Sequence, residues 1–316
     1  MEGTSSQDEI EHEIAELEKC LAAAKLRLSK TAAHAAAPSS QSPPMNTAPA
    51  TPFDSPSHFL LLLSDSQLPI GSFAFSSGLE SYLAHSLRRR STTTAFSSFL
   101  ALSVSSFAAT TLPFVLAGHR DPSFLVSLDD QLDAAVVCTV GRRASVAQGR
   151  ALFSIWERSF RKTLPAVQAD VSFLREFGAL LRRGSAVVEG AGQDEEEDDD
   201  DDDDDDEEEE MPPPVSAHLA PLFGVICSVL GLSTRQTAYV YMVSHVKALV
   251  SAAVRASMFG PYQAQMVLAG GEVQSMIARV IEREWETSVD EAGQSVPVMD
   301  LWMGRHEMLY SRIFNS

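Results

Sequence analysis

The sequence contains little cysteine and no metal-binding motif. Its 316 residues include three cysteines, Cys20, Cys138 and Cys227, which lie far apart and form no CxxC pair. This spacing argues against a disulfide framework and a cysteine zinc site, and it fits a reducing compartment such as the cytoplasm. The eight histidines include no HxH, HxxxH or HExxH pair, so the sequence predicts no metal site.

Motifs for nucleotide and acyl-transfer chemistry are missing as well. The stretch nearest to a P-loop, "GRRASVAQGR" at Gly141 to Arg150, lacks the required lysine and spacing. The serine-rich "GSFAFSSG" at Gly71 to Gly78 does not supply the GxSxG pattern of a nucleophile elbow. These absences together favour a protein that is not an enzyme.

Signals for secretion, membrane insertion and nucleic-acid binding are weak. The acidic N-terminus has no cationic region followed by an apolar core, so we expect no signal peptide. The apolar run 237–259 approaches the length of a membrane span, but charged residues interrupt it. The sequence has no broad basic stripe, so it does not predict binding of nucleic acid. We interpret the run as a central bundle helix with one polar seam, formed by Ser244, Lys247, Ser251 and Arg255.

Acidic charge is concentrated in one tract. The formal net charge is −19, but Asp194 to Glu210 consists only of carboxylates, and the rest of the chain is nearly neutral. Adjacent carboxylates repel one another and cannot form a packed element. We therefore predict a disordered acidic loop at 184–216 that interrupts the folded part.

The first 57 residues differ in composition from the rest. Apolar residues between Ile10 and Leu28 alternate in steps of four and three, which is the register of a coiled coil. A lone amphipathic helix is an equal alternative, because a single helix of this length is marginal in water. An Ala/Pro/Ser-rich linker follows. We predict an N-terminal helix and linker at 1–57 and one domain at 58–316.

The domain shows helical periodicity and no alternating run of β-branched residues. A helix is expected from Thr92 to about Gly118, where Pro113 should kink or end it. Further helices are expected at 129–160 and from Pro261 to about Glu286, and Ser233–Gln236 forms a capping box. The prediction is an all-α, single-domain bundle of about eight to ten helices.

The stretch "LPIGSFAFSSGLE", Leu68 to Glu80, is a shaped loop that opens into a helix. Ser77 and Glu80 are spaced as a second capping box. The two phenylalanines could pack inward or meet a partner. We expect Phe75 to belong to the core and leave Phe73 open to either alternative.

The chain ends in "DLWMGRHEMLYSRIFNS", which is dense in aromatic, cationic and apolar residues. Termini are usually polar and mobile, whereas aromatic residues and arginine are enriched at binding hot spots. The tail is therefore either a binding surface or a segment that folds back on its own bundle.

Four stretches together carry a resemblance to a known family. They are "LPIGSFAFSSGLE", "DAAVVCTVGRRASVAQGRAL", "LVSAAVRASMFGPYQAQ" and the terminal "RHEMLYSRIFNS". In order and spacing they resemble the urease accessory protein F family, over residues 58–181 and 218–316. The N-terminal heptads and the acidic insertion lie outside the pattern, and such an insertion is typical of a eukaryotic, fungal-like member.

The resemblance implies a non-enzymatic all-α scaffold that forms a homodimer. Such a scaffold binds the D/H-type urease accessory protein, and the pair recruits the G-type accessory GTPase to deliver nickel to apo-urease. It implies no cofactor of its own, since partner proteins handle nickel and GTP. Two alternatives stay open, namely a metallochaperone that carries nickel itself and a regulator of the partner GTPase.

The resemblance also implies a partner-binding site. In the family the C-terminal tail becomes ordered against the D/H-type partner, and an arginine at the position of Arg312 recruits the GTPase. The aromatic residue after "GS", Phe73 here, lies near that tail. Some members have tyrosine there, so a hydrogen bond from its hydroxyl is lost in this chain. The expected partner-binding residues are Phe73, Arg305, His306, Glu307, Tyr310, Arg312 and Phe314.

Overall fold

The computed structural model describes residues 55–86, 92–164, 171–190 and 215–315. These ranges contain helices and turns but no strand, which confirms the all-α prediction. The predicted N-terminal heptads and the acidic tract 194–210 lie outside the described residues.

The described helices are numbered here in chain order, and there is one more than the eight to ten predicted. Helix α5 is extended by a π-helical segment, Trp156–Phe160, and a further turn, Arg161–Thr163. Short 3-10 turns occur at Ser72–Ala74, Pro122–Phe124, Val289–Glu291 and His306–Met308. The helices are α1 Ser55–Ser64, α2 Leu79–Ser86, α3 Thr92–Arg120, α4 Leu125–Ala135, α5 Thr139–Ile155, α6 Ser172–Gly190, α7 Leu219–Val229, α8 Thr234–Arg255, α9 Pro261–Ala269, α10 Gly271–Glu284 and α11 Val298–Arg305.

Helix α3 lies at the centre and packs against α7, α8 and α10. Helix α7 is apolar all round and buried from Leu219 to Cys227, as a helix surrounded by others should be. A Cβ on Gly224 would lie 2.1 Å from the Val115 carbonyl oxygen, so this glycine lets α7 approach α3 closely. Helices α3 and α8 are long and apolar enough to cross a bilayer, but 67% and 61% of their most apolar windows are buried within the fold.

Pro113 does not end α3, which continues to Arg120. Proline has no N–H, so the carbonyl of Ala109 loses its helical donor. The backbone N–H of Gly293 donates to that carbonyl at 3.1 Å. A distant loop thus supplies the hydrogen bond that the helix lacks at Pro113.

Two predicted helices are each divided in the structure. The stretch 129–160 breaks at Val136–Cys138, where both flanking caps are extended. The guanidinium of Arg142 donates to the carbonyls of Asp133 (2.6 Å) and Val136 (3.3 Å), which satisfies the open end of α4. The helix from Pro261 breaks at Gly270, whose ψ of 139° is extended.

Two local signals are confirmed and one boundary is corrected. Ser233 and Gln236 form the predicted capping box, and Pro261 begins α9 with Gly260 as its N-cap. Helix α6 continues to Gly190, so the start of the acidic loop at 184 was predicted too early. The carboxylate run that opposes packing begins only at Asp194.

Candidate functional site: the docked C-terminal tail

The loop Leu68–Glu80 bends sharply before α2. Ser77 and Gly78 both have left-handed backbone, with φ of 50° and 83°. A Cβ on Gly78 would lie 3.1 Å from the Cβ of Trp302, so glycine is needed where α11 packs on the bend. The bend therefore forms a seat for the C-terminal part of the chain.

The capping box predicted for Ser77 and Glu80 is wrong. Ser77 lacks the extended backbone of an N-cap residue, and the hydroxyl that accepts from the Glu80 N–H belongs to Ser76 (3.5 Å). The Glu80 carboxylate turns to the tail instead. It accepts from His306 Nε2 at 2.9 Å and from the backbone N–H groups of Ile313 and Phe314 at 2.7 and 3.2 Å.

Further contacts hold the tail on the same bend. The backbone N–H of Asn315 donates to the carbonyl of Ala74 at 2.8 Å. Arg255, at the end of the polar seam of α8, donates to the carbonyl of Phe73. Its guanidinium also lies over the ring of Phe314, 4.2 Å from the ring centre. The bend, the tail and the seam of α8 are thus brought to one place.

The tail alternates between buried anchors and exposed groups. His306 and Phe314, both expected to contact a partner, are buried within this chain. Phe73 is 62% exposed and Tyr310 fully exposed. Sequence reasoning missed Met308 and Ile313, which are 79% and 61% exposed. Because no periodicity marks which side chains of a short tail face outward, only the docked geometry separates the two sets.

Charged groups border these exposed side chains. The carboxylate of Glu307 accepts from Arg143 of α5 and from Arg312 (3.3 Å). The bond from Arg143 outweighs desolvation and, together with Arg312, holds the pKa of Glu307 below its ordinary value. Exposed pairs of this kind add little stability, but this one fixes where the guanidinium of Arg312 lies. We define the tail surface as Phe73, Met308, Tyr310, Arg312 and Ile313.

Arg305 lies beside the tail surface. Its guanidinium is 5.8 Å from the centre of the Trp302 ring. That ring packs edge-on against Tyr82 of α2, with centres 5.5 Å apart and planes at 86°. Helix α11 is thereby held on α2, and Arg305 remains exposed at its end.

A second buried carboxylate, Asp129 of α4, was not singled out from the sequence. It accepts from the backbone N–H groups of Ser216 (2.7 Å), Ala217 (3.0 Å) and His218 (2.6 Å). Ala217 has a left-handed φ of 68°. Asp129 is one of several acids in "SLDDQLDAA", and its partners are remote in sequence, so no local signal distinguishes it.

The ring of His218 completes this anchor. Its Nε2 lies 2.9 Å from Asp133 and its Nδ1 3.0 Å from the hydroxyl of Ser145. Burial opposes ionisation of Asp133, but the bond from His218 and the charge of Arg142 outweigh it and hold its pKa below the ordinary value. A serine-protease triad uses the two ring nitrogens in the opposite order. Leu219 N–H also donates to the same hydroxyl (3.3 Å), so the cluster is a structural anchor.

A cavity of about 180 Å³, partly open to solvent, lies between α3, α5, α8 and α11. His245 on its wall stacks on Phe107, with ring centres 3.9 Å apart, and its Nε2 is 3.0 Å from the hydroxyl of Ser103. Burial lowers the pKa of His245 to about 3, so the ring is neutral at physiological pH. Phe75, expected in the core, is half-buried and lines this cavity.

Metal ions in proteins are usually held by a group of three or more His, Cys, Asp or Glu side chains. Across residues 55–86, 92–164, 171–190 and 215–315, no three His, Cys, Asp or Glu side chains come together as such a group. His306 and Glu307, adjacent in sequence, point to different partners, Glu80 and Arg143.

Comparison with known proteins identifies the family. The model of the UreF family matches residues 79–271, which is more than half of the chain. The chain belongs to the UreF family. The match begins at the first residue of α2 and extends to the start of α10, so it includes the helix that carries Glu80.

Relatives from fungi and plants match a larger part of the chain than the family model does. A UreF-like urease accessory protein of Schizosaccharomyces pombe is 32% identical, over 82% of this chain and 97% of its own length. Urease accessory protein F of Oryza sativa is 30% identical over 80% of this chain and 82% of its own. Urease accessory protein 6 of Cryptococcus neoformans is 26% identical over 82% of this chain and 96% of its own length. The resemblance found in four stretches is thus confirmed.

Proposed function

We propose that this protein is a urease accessory scaffold. In this proposal the tail surface binds the D/H-type accessory protein, and the pair recruits the G-type GTPase for nickel insertion into apo-urease. Membership of the UreF family and the names of its relatives support the urease context. The observation that carries the binding role is the tail surface itself, in which large apolar groups face solvent on an anchored segment.

The composition of the tail surface fits a protein interface. Its apolar centre, Met308, Tyr310 and Ile313, is bordered by Arg143, Glu307 and Arg312. Interfaces share this arrangement of an apolar core with a charged rim. Covering the apolar groups gains about 25 cal/mol for each Å² removed from water, and the rim charges direct the orientation of the partner.

The direct test measures loss of the D/H-type partner from purified complexes. Tyr310→Ala combined with Ile313→Ala removes two of the three side chains of the apolar centre without touching a buried anchor. A matched control, Tyr262→Ala combined with Met266→Ala, removes apolar side chains on α9 that are 88% and 74% exposed. On co-expression and size-exclusion chromatography, the tail variant should elute without the partner and the control should retain it. Equal retention by both variants would contradict the proposal.

Arg312 is proposed to serve the second step, recruitment of the GTPase. Its guanidinium is about half exposed and is held by Glu307 alone among the ion pairs of the described residues. Arg312→Ala should keep the D/H-type partner, keep the circular dichroism spectrum and lose the G-type GTPase in the same chromatography. Retention of a stoichiometric GTPase by Arg312→Ala would remove this assignment.

The scaffold role includes a homodimer in a reducing, cytoplasmic compartment. The scaffold needs no phosphate-binding loop of its own, since GTP hydrolysis belongs to the recruited partner. Single-turnover GTP hydrolysis by the G-type partner, measured with and without this protein, tests whether the scaffold also regulates that step.

A further inference from the structure

We infer that the outer side of α6 and of the segments that extend α5 is an electrostatic docking surface, and that its occupant is the acidic tract Asp194–Glu210 of the same chain. This inference goes beyond the proposed function and needs neither a urease partner nor the C-terminal tail. The structure brings together basic residues that lie too far apart in the sequence to form a stripe. We define this cationic face as Arg158, Arg161, Lys162, Arg175 and Arg183.

Positive charge is concentrated in this part of the chain. Residues 139–183 contain nine of the 24 lysines and arginines but only three of the 43 acids. The chain outside the tract is nearly neutral as a whole, so the excess of cations is local. Like charges held close together repel one another, and an anionic partner relieves that repulsion.

The fold pairs some of these basic residues with acids but leaves the cationic face unpaired. Arg142 forms an ion pair with Asp133 (3.3 Å) and Arg182 one with Glu157 (3.6 Å). The five side chains of the cationic face are all exposed, and none of them forms an ion pair within the described residues. The surrounding fold therefore supplies them with no counter-charge.

The helices that carry these cations contact each other. A Cβ on Gly178 of α6 would lie 2.8 Å from the ring of Phe153 and 3.4 Å from a carboxylate oxygen of Glu157. One turn further along α6, Arg182 reaches the same carboxylate. Since a helical turn rises only about 5.4 Å, the cations on the two sides of this contact belong to one surface.

Helix α6 has only charge to offer on its exposed side. Its apolar residues Leu174 and Phe177 are buried in the core, whereas Arg175 and Arg183 face solvent. Guanidinium groups bind carboxylates through two parallel hydrogen bonds, which makes carboxylates their preferred partners. A run of carboxylates is therefore the chemistry that fits the cationic face.

The acidic tract has the charge and the reach to occupy this face. It contains 17 carboxylates and begins four residues after Gly190, the last residue of α6. From Gly190 back to Arg183 the helix spans about 10 Å at about 1.5 Å per residue. A chain covers up to about 3.5 Å per residue, so four residues are enough to bring Asp194 to Arg183.

An occupant from the same chain is favoured over one from outside. A short tether gives an effective concentration of about millimolar. Nucleic acid, an anionic membrane or an acidic segment of another protein must instead approach a chain of net charge −19, which repels anions at long range.

Carbodiimide cross-linking of the full-length protein tests the inference, because the reagent joins a lysine amine to a carboxylate only where the two are in contact. Lys162 is the one lysine of the cationic face. Mass spectrometry should find Lys162 joined to residues 194–210 at low salt. About 0.5 M NaCl should reduce this product at least about tenfold, because salt screens exposed charges. No such product at low salt would overturn the inference, whatever the variants show.

Matched variants separate the cationic face from charge in general. Arg175→Gln combined with Arg183→Gln keeps Lys162 and should reduce the cross-link about tenfold, the loss expected for two exposed charge pairs. The control Arg235→Gln combined with Arg279→Gln removes two exposed arginines of α8 and α10 and should leave the yield unchanged. Equal yields from the two variants would overturn the role of the cationic face.

Isotope labelling identifies the chain from which the tract comes. In an equimolar mixture of unlabelled and nitrogen-15-labelled protein, a cross-link within one chain joins two peptides of the same label. Mixed-label products as frequent as same-label products would place the tract of a second copy on the cationic face, and would overturn the assignment to the same chain.

Discussion

Two segments of this molecule are each held by a carboxylate that accepts backbone N–H groups, but one segment is buried and the other exposes its side chains. Asp129 accepts three backbone N–H groups from 216–218, and Glu80 accepts two from Ile313 and Phe314. Each fastening also includes a buried histidine, His218 or His306.

The two fastenings differ in what remains outside. Val215, Ala217 and His218 are all buried, whereas the tail keeps Tyr310 and its apolar neighbours in solvent. A carboxylate that accepts N–H groups can therefore close a segment into the core or hold it out as a surface. The side chains between the anchored residues decide which result is obtained.

The largest effect is expected at the buried anchor. Asp129→Ala leaves two buried N–H groups and a part-buried one without an acceptor and should lower the free energy of unfolding by about 3–5 kcal/mol. The adjacent Asp130, which is exposed, offers a matched control, and Asp130→Ala should change stability by less than about 0.5 kcal/mol. Urea denaturation measures both values. Equal stabilities for the two variants would show that Asp129 does not anchor residues 216–218.

Within the tail, buried and exposed aromatics should separate stability from binding. Phe314→Ala removes a ring that is 4% exposed and should lower the free energy of unfolding by about 2–4 kcal/mol. Tyr310→Ala should leave that value within about 0.5 kcal/mol and instead weaken the D/H-type partner about tenfold or more. Denaturation and a binding titration on the same preparations show whether the two roles separate. A large loss of stability in Tyr310→Ala would show that the ring is not free.

Close packing around the buried anchor provides a smaller test. A Cβ on Gly149 would lie 2.0 Å from the carbonyl oxygen of Ala217, so Gly149→Ala should cost about 1–3 kcal/mol. A Cβ on Gly304 of α11 would have no heavy atom within 4 Å. Gly304→Ala should therefore be neutral or stabilising by up to about 1 kcal/mol. Thermal unfolding of the pair gives the comparison. Similar melting temperatures would mean that 215–218 does not pack on α5 as described.

The smallest expected effect is on the free energy of unfolding at acidic pH. The folded pKa of Asp133 is lowered by His218 and Arg142 despite the opposing effect of burial. Its contribution to stability is therefore complete above the unfolded pKa of about 3.9 and is lost as pH falls through the folded value. Because the side chain is 31% exposed, we expect less than about 1 kcal/mol. Asp133→Asn should flatten the pH dependence of unfolding below about pH 4, and an unchanged slope there would contradict the assignment.

Local chemistry explains which features the sequence could predict. The capping box at Ser233 and the helix start at Pro261 depend on neighbouring residues, and both appear in the structure. The capping box predicted for Glu80 was wrong because the spacing of Glu80 from Ser77 fits that motif without forming it. Distant N–H groups of the tail take its carboxylate instead.

Pro113 and Asp129 show the same limit. The carbonyl that Pro113 leaves without a helical donor accepts from Gly293, and Asp129 accepts from residues 216–218, which are remote in sequence. Neither partner can be read from the residues beside them. The tail residues were predicted as a group from their composition, but their division into anchors and surface required the fold.

Deletion of Arg305–Ser316 in the otherwise full chain tests the central claim most directly. Purified with the D/H-type accessory protein, the shortened protein should show the helical circular dichroism of the bundle and should elute from size-exclusion chromatography alone, whereas the wild type elutes as a complex. A stable complex with the shortened protein would contradict the account, since binding would then not require the tail.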